Sequence, residues 1–133
     1  MAGRRKGTNS LTPLELRVMH VLWSEGPCNV QQVQTSLSSS DEFAYNTVQT
    51  MLNILHRKGR VKRTLDGRAY VYRPAASREK VLGQAVRDLV QRMFGGSSEE
   101  LVMSLIKTRQ LDLQQISNLR RKLVAQEEEA RNE

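Results

Sequence analysis

A chain of 133 residues with 38% apolar and 26% charged positions can form one ordinary domain, or a compact domain with an extension, and its composition excludes wholesale disorder. No apolar run approaches the ~18 residues that a membrane span requires. The opening MAGRRKGTNS lacks the apolar stretch of a secretory signal. The single cysteine, Cys28, can form neither an internal disulfide nor a thiolate metal cage. These features give the expectation of a cytoplasmic protein with no direct membrane insertion.

The net charge is +7, and it is unevenly placed. From Met1 to Ala76 there are 11 Lys+Arg against 5 Asp+Glu, a net +6; from Ser77 to Glu133 there are 10 against 9, a net +1. A basic first part suits contact with a polyanion, and the nearly neutral second part has no such electrostatic role.

Residues 1–10 read as a basic, Gly-containing arm, with Arg4, Arg5 and Lys6 as candidate phosphate contacts. A first helix follows. Thr12, Pro13 and Glu15 combine an N-cap, a proline at the first helical position and a capping-box acid, while Leu14, Val18, Val21 and Leu22 supply the core stripe. This helix is expected to end near Glu25-Gly26-Pro27, with Trp23 and His20 on its core side. Asn29 and Gln32 form a second capping-box pattern before a short helix with Val30, Val33 and Leu37 on one face, closed by Ser38 to Glu42. The third helix is AYNTVQTMLNILHRKG, with Val48, Met51, Leu52 and Leu55 on its apolar side and Gly59 placed to terminate it.

The polar side of that third helix carries amides and hydroxyls where Glu and Lys are usual. Next, RVKRTLDGRAYVYRP alternates with period two around Asp66-Gly67, which predicts a β-hairpin with those two residues as its loop. Leu65 would then oppose Arg68, Arg63 would oppose Tyr70 and Val61 would oppose Tyr72. Tyr70 and Tyr72 are expected in the core of the hairpin, and Lys62 and Arg63 can also serve simply to protect a sheet edge. After Ser77 the pattern is helical again, through Leu82, Ala85, Val86, Leu89, Val90 and Met93 to Gly95-Gly96. Ser97 with Glu100 and Asp112 with Gln115 cap two further helices, which carry Leu101, Val102, Leu105 and Ile106, then Ile116, Leu119 and Leu123.

The fold class expected is mainly α: a winged helix-turn-helix at residues 11–76, made of three helices and a β-hairpin wing, and a helical domain at residues 77–133. In a winged helix the third helix lies in the DNA major groove and the hairpin reaches the backbone or the neighbouring minor groove. Asn46, Thr47, Gln49, Thr50 and Asn53 are therefore candidate base contacts, because amides pair bidentately with adenine and threonine meets either edge type or a thymine methyl. Arg57, Lys58, Lys62, Arg63 and Arg68 are candidate backbone contacts. Tyr45 either joins them or packs on the preceding loop. The last domain is too small for a robust core, so Leu82, Leu89, Met93, Leu101, Leu105, Ile116, Leu119 and Leu123 are expected to pack against a second copy; packing back on the first domain is the alternative. No catalytic residue, metal site or cofactor is expected, since the sequence has no P-loop, dinucleotide-binding glycine pattern or nucleophile elbow.

Four segments, LTPLELRVMHVLW, AYNTVQTMLNILHRKGRVKR, GRAYVYRP and Gly95-Gly96 followed by LVMSLI, resemble the BlaI/MecI/CopY-type penicillinase repressors of bacteria. The resemblance spans nearly the whole chain. It implies a homodimeric, nucleoid-associated transcriptional repressor that holds an inverted-repeat DNA operator through its N-terminal domain and dimerises through its C-terminal helices. It also implies that Asn46, Thr47, Gln49, Thr50 and Asn53 face bases. Family members controlling β-lactam resistance are inactivated by cleavage, linked to a membrane sensor, between an Asn and a Phe in the helix after the double glycine; Ser104 and Leu105 stand at that pair. Copper-responsive relatives use C-terminal cysteine pairs, which this chain lacks. A small-molecule-responsive regulator and a winged-helix adaptor that binds no DNA are the alternative readings.

Overall fold

The computed structural model describes residues 10–37 and 42–132. The expected Arg4-Arg5-Lys6 arm and most of the Ser38–Glu42 terminator lie outside the described residues. The elements run α1 (Pro13–Glu25), α2 (Val30–Leu37), α3 (Tyr45–Arg57), β1 (Val61–Asp66), β2 (Ala69–Pro74), α4 (Arg78–Phe94), α5 (Ser98–Lys107) and α6 (Leu113–Asn132). Two compact units divide at Leu82 and Gly83.

Local capping chemistry starts each of the first two helices. At α1 the Glu15 N–H donates to Thr12 Oγ1 (3.1 Å) and the Thr12 N–H donates to Glu15 Oε1 (2.8 Å). At α2 the same reciprocal exchange joins Asn29 and Gln32, both at 2.8 Å. Each box satisfies two N–H groups that a helix start otherwise leaves unpaired. α3 is different, since Ala44 stands at its N-cap and offers no side-chain acceptor. Its position is fixed from outside instead. Gln34 of α2 donates to the Phe43 carbonyl (2.9 Å), and the guanidinium of Arg17 lies 5.5 Å from the centre of the Phe43 ring.

The core of the first unit joins Val18, Met19 and Leu22 of α1, Val30, Val33 and Leu37 of α2, and Val48, Met51, Leu52 and Leu55 of α3, with Cys28, Val61 and Tyr72. Met19 was not named in the expected stripe, and His20 was placed on the core side of the helix. The structure exchanges them: Met19 is buried while His20 is exposed, its ring meeting the edge of Trp23 at 5.4 Å. Trp23 is half-buried, and its indole N–H donates to the Ala76 carbonyl at 3.0 Å.

α3 ends as its sequence predicts. Gly59 adopts φ +77°, its N–H donates to the His56 carbonyl (3.1 Å), and the Arg60 N–H donates to the Leu55 carbonyl (2.9 Å). That pair of bonds is a Schellman motif, which needs a left-handed residue at Gly59.

The hairpin differs from expectation in its register. Leu65 pairs with Tyr70, Arg63 with Tyr72 and Val61 with Pro74, and Asp66 faces Ala69 across a loop of Gly67-Arg68. Gly67 has φ +65°, and Arg68 is not among the residues with positive φ, the signature of a type II′ turn with glycine at its first central position. Asp-Gly as the central pair would have required the type I′ turn. Moving the loop by one residue moves every cross-strand partner by two, so each side chain keeps its face. Beyond the pair, the Cys28 N–H donates to the Tyr72 carbonyl (2.9 Å) and the Tyr72 N–H to the Cys28 carbonyl (2.8 Å). The α1–α2 connection thereby serves as a third, one-residue strand that anchors β2.

In the second unit, Ser97 and Asp112 cap α5 and α6 as expected, through bonds from Glu100 N–H (3.1 Å) and Gln115 N–H (2.8 Å). Neither helix has a buried residue. Val90 of α4 is the buried side chain among the described residues after Leu82.

Candidate nucleic-acid interface

The four buried residues of α3 occupy one side of the helix, so the opposite side is fixed by the 3.6-residue period. Asn46, Gln49, Thr50 and Asn53 follow at i, i+3, i+4 and i+7 and form one strip there. Asn46, Thr47, Gln49 and Thr50 are exposed and Asn53 is half-buried. Thr47 sits about 100° around the helix from Asn46, at the margin of the strip. From Asn46 to Asn53 the strip rises about 10 Å, close to three base-pair steps of a duplex. Tyr45, at the first turn, is 46% exposed, so it does not pack away on the preceding loop.

Asn53 is engaged differently from its neighbours. Its Oδ1 accepts from Arg63 Nη1 (3.2 Å) and from the Tyr72 hydroxyl (3.4 Å), both on the hairpin. Bidentate pairing with adenine needs that same oxygen to accept from N6 while the amide nitrogen donates to N7. The oxygen is already occupied, and Asn53 is a tie between α3 and the wing. Arg63 also lies 4.2 Å from the centre of the Tyr70 ring. Tyr72 is buried as expected, whereas Tyr70 is 41% exposed and forms the platform for that cation rather than part of the core.

Lys58 has a structural partner too. Its ammonium donates to Glu15 Oε1 (2.8 Å) and Oε2 (3.1 Å), and to the Ser10 carbonyl (3.0 Å). Glu15 thus caps α1 and pairs with the end of α3 at once, and it is the buried charged residue of the first unit among those described. Burial by itself would raise its pKa. The hydrogen bond from Lys58, those from Thr12 and the ammonium charge outweigh that effect and hold the carboxyl below its ordinary value. Lys58 is therefore a fastener between α1 and α3, with its charge largely spent inside the fold.

The exposed cations of α3 and the hairpin are Arg57, Lys62, Arg68 and Arg73. Arg73 escaped the sequence reading because its importance comes from pairing: it stands directly opposite Lys62. Like charges facing each other across a hairpin repel and destabilise it, so their persistence suits an external anion. Among the described residues no group of His, Cys, Asp and Glu could hold a metal, and no helix is long and apolar enough to cross a membrane. Burial, aided by the negative charge of Glu25, pushes the Cys28 thiol above its ordinary pKa, the opposite of what a nucleophile needs.

The expected dimerisation residues fall into two groups. Leu82, Leu101, Leu105 and Ile116 are half-buried, while Leu89, Met93, Leu119 and Leu123 are exposed. Ser104 and Leu105 lie within α5, where the Ser104 carbonyl accepts from the Thr108 N–H (2.9 Å) and hydroxyl (2.8 Å).

Comparison with known proteins agrees with this architecture. The solved complex of hsRosR-S4 shares the fold, at 19% identity and a TM-score of 0.51, over 95% of this chain and 96% of that one. The penicillinase repressor of Bacillus licheniformis is 28% identical over 109 residues, 82% of this chain and 85% of that protein. The transcriptional regulator BlaI of Mycobacterium tuberculosis is 36% identical over 99 residues, 73% of this chain and 72% of its own. The family profile described as penicillinase repressor matches residues 11–125. With its three-helix core, anchored hairpin and uncharged helix face, the chain belongs to the penicillinase repressor family, whose members are transcriptional repressors and not enzymes.

Proposed function

We propose that this chain is a sequence-specific DNA-binding repressor that acts as a homodimer on an inverted-repeat operator. One observation carries the reading: the strip of exposed amides and hydroxyls on α3 lies opposite the core and is flanked by a hairpin rich in cations. Asn46, Gln49 and Thr50, with Thr47 at the margin, read base edges. Arg57, Lys62, Arg68 and Arg73 hold phosphates, an attraction that weakens with salt because it rests on counterion release. The second unit supplies the dimer contact. Leu89, Met93, Leu119 and Leu123 are apolar side chains left in water by a helical unit with little core of its own, and a second copy covers them. A monomer in sedimentation at micromolar concentration overturns that part.

Derepression by a cut between Ser104 and Leu105 requires the α5 turn held by Thr108 to unwind first. Such a cut would detach α6 from the rest of the second unit and weaken binding that depends on two linked half-sites. An intact chain mass in cells derepressed by a β-lactam would refute it.

Selection from a pool of random duplexes tests the main reading. An enriched inverted repeat is expected; no enriched motif, with only weak binding to all sequences, overturns it. Within a recovered site, Gln49→Ala relaxes preference at one base position per half-site. Lys62→Ala weakens all sequences alike and lowers the salt slope by about 1 for each phosphate that the lysine neutralises.

A further inference from the structure

The last helix carries a charge pattern with no role in holding DNA. Arg120, Arg121 and Lys122 are followed, seven residues on, by Glu127, Glu128 and Glu129 respectively. Seven residues are close to two turns, so each base shares a line along α6 with its acid. No acid lies within four residues of any of the three bases, so none of them pairs along the helix at i,i+3 or i,i+4. Arg121 donates instead to the neutral amide oxygen of Asn118. The central line runs through Ser117, Arg121, Val124, Ala125, Glu128 and Asn132, all exposed, and an open groove of about 380 Å³ lies along it from Ser117 to Glu128. This line stands roughly 150° around the helix from Leu119 and Leu123, so it is a different surface from the one assigned above to the dimer contact.

Turned end for end about a point between Val124 and Ala125, the strip matches itself. Ser117 meets Asn132, Arg121 meets Glu128 and Val124 meets Ala125, while Arg120 meets Glu127 along one flank and Lys122 meets Glu129 along the other. A parallel alignment would set each base beside its own copy. The helix runs to Asn132 without a buried residue, whereas the match to the family profile ends at residue 125, so the three acids lie beyond the part shared with the family.

We infer that α6 pairs antiparallel with α6 of a neighbouring dimer, so that two dimers on adjacent operators hold each other. The inference rests on the homodimer reading above. Charge complementarity selects a further copy of this chain as the occupant, since the strip complements its own reversed order, and the small side chains of Ser117 and Ala125 let two helices approach closely. The contact is self-complementary about a two-fold axis, as a closed contact between identical chains requires. It is also slight: two helix faces of this length bury on the order of 1,000 Å² in total, the low end for a specific interface, and exposed ion pairs add little. Dimers in free solution therefore associate weakly. Neighbouring dimers on one duplex face each other at an effective concentration of about millimolar, where a weak contact is filled.

The test is sedimentation of the full chain without DNA, at micromolar and at near-millimolar concentration. The parent is a dimer at the first and forms a heavier species at the second in low salt, which recedes in high salt because exposed pairs are screened. Arg121→Glu sets Glu opposite Glu, and Glu128→Arg sets Arg opposite Arg; each weakens the association of dimers about tenfold. An equimolar mixture of the two variants restores it, because each dimer then meets one of opposite charge, and the double variant restores it alone. On a duplex carrying two adjacent copies of the selected repeat, the same variants lose and regain cooperative filling, while a duplex with one copy binds all of them alike. Both positions are exposed, and circular dichroism verifies that α6 stays helical. No species heavier than a dimer in the parent, single variants that associate as the parent does, or a mixture that fails to associate would each overturn the inference. Dissociation of Arg121→Glu to monomers at micromolar concentration also overturns it, by placing the strip in the dimer contact itself. A parent that is monomeric at micromolar concentration overturns the homodimer reading and this inference with it.

Discussion

Glu15→Ala tests whether one carboxylate fastens α1 to α3. The substitution removes the acceptor for the Thr12 N–H and strands the Lys58 ammonium, whose side chain is 19% exposed. Loss of a capping interaction costs about 1 kcal/mol, and a polar group left without its partner costs about 1–3 kcal/mol. Lys58 keeps some water and the Ser10 carbonyl, so the lower end of that second range applies and the total is about 2 kcal/mol. For a unit of this size that is a fall of roughly 8–16 °C in Tm. Trp23, the one tryptophan of the chain, lies in the first unit and reports its unfolding in urea or on heating. Lys58→Met leaves Glu15 bonded to Thr12 and costs about 1 kcal/mol, and the double variant is less destabilised than the two single variants added together. The pH dependence has a definite sign. A carboxyl whose folded pKa lies below its unfolded value of about 4.5 contributes stability that is complete above that value and is lost on acidification through the lower folded pKa. Glu15→Gln removes this contribution and flattens the acid limb. A loss under about 0.5 kcal/mol in Glu15→Ala, the range of an ordinary surface change, would refute the reasoning.

Three further outcomes follow from local geometry. Arg109 is the non-glycine residue with positive φ (63°) among those described, at the C-terminal cap of α5, and Arg109→Gly is expected to stabilise the second unit by about 0.5–1 kcal/mol in urea unfolding followed by circular dichroism. Cys28, buried and with its thiol pKa raised, is expected to react with a thiol reagent at pH 8 at least ~100-fold more slowly in the folded chain than in urea. Asn53→Ala is expected to speed amide hydrogen exchange across β1 and β2 in the free protein and to weaken DNA binding without relaxing any single base position; an altered base preference with an unchanged hairpin would return Asn53 to the reading set.

What could be read from the sequence was what short range decides. Thr12 with Glu15, Asn29 with Gln32 and Ser97 with Glu100 lie three residues apart, so their bonds are properties of the segment itself. The apolar side of α3 was equally plain, and all four of its expected residues are buried. The ties that the sequence did not reveal belong to groups whose partners are distant in sequence. Lys58 meets Glu15 43 residues away, and Asn53 meets Tyr72 19 residues away. A polar residue on an exposed face reads the same whether its partner is water, DNA or another side chain. Arg109 gave no signal because a helix end without glycine is invisible to a search for one. The hairpin loop was misplaced because Gly67 serves either primed turn, and the choice between them rests on how the flanking residues pair.

That choice also bears on how such a wing tolerates change. Sliding the turn by one position exchanges partners but never turns Tyr72 outward or Lys62 and Arg73 inward, so substitutions that trade one primed turn for the other are compatible with the same two faces. An insertion or deletion of one residue in the loop has no such protection, because the parity of one strand reverses against the other unless a bulge absorbs it. Variation within wings of this build is therefore expected in the identity of the turn residues, while the number of residues between Val61 and Tyr72 stays even.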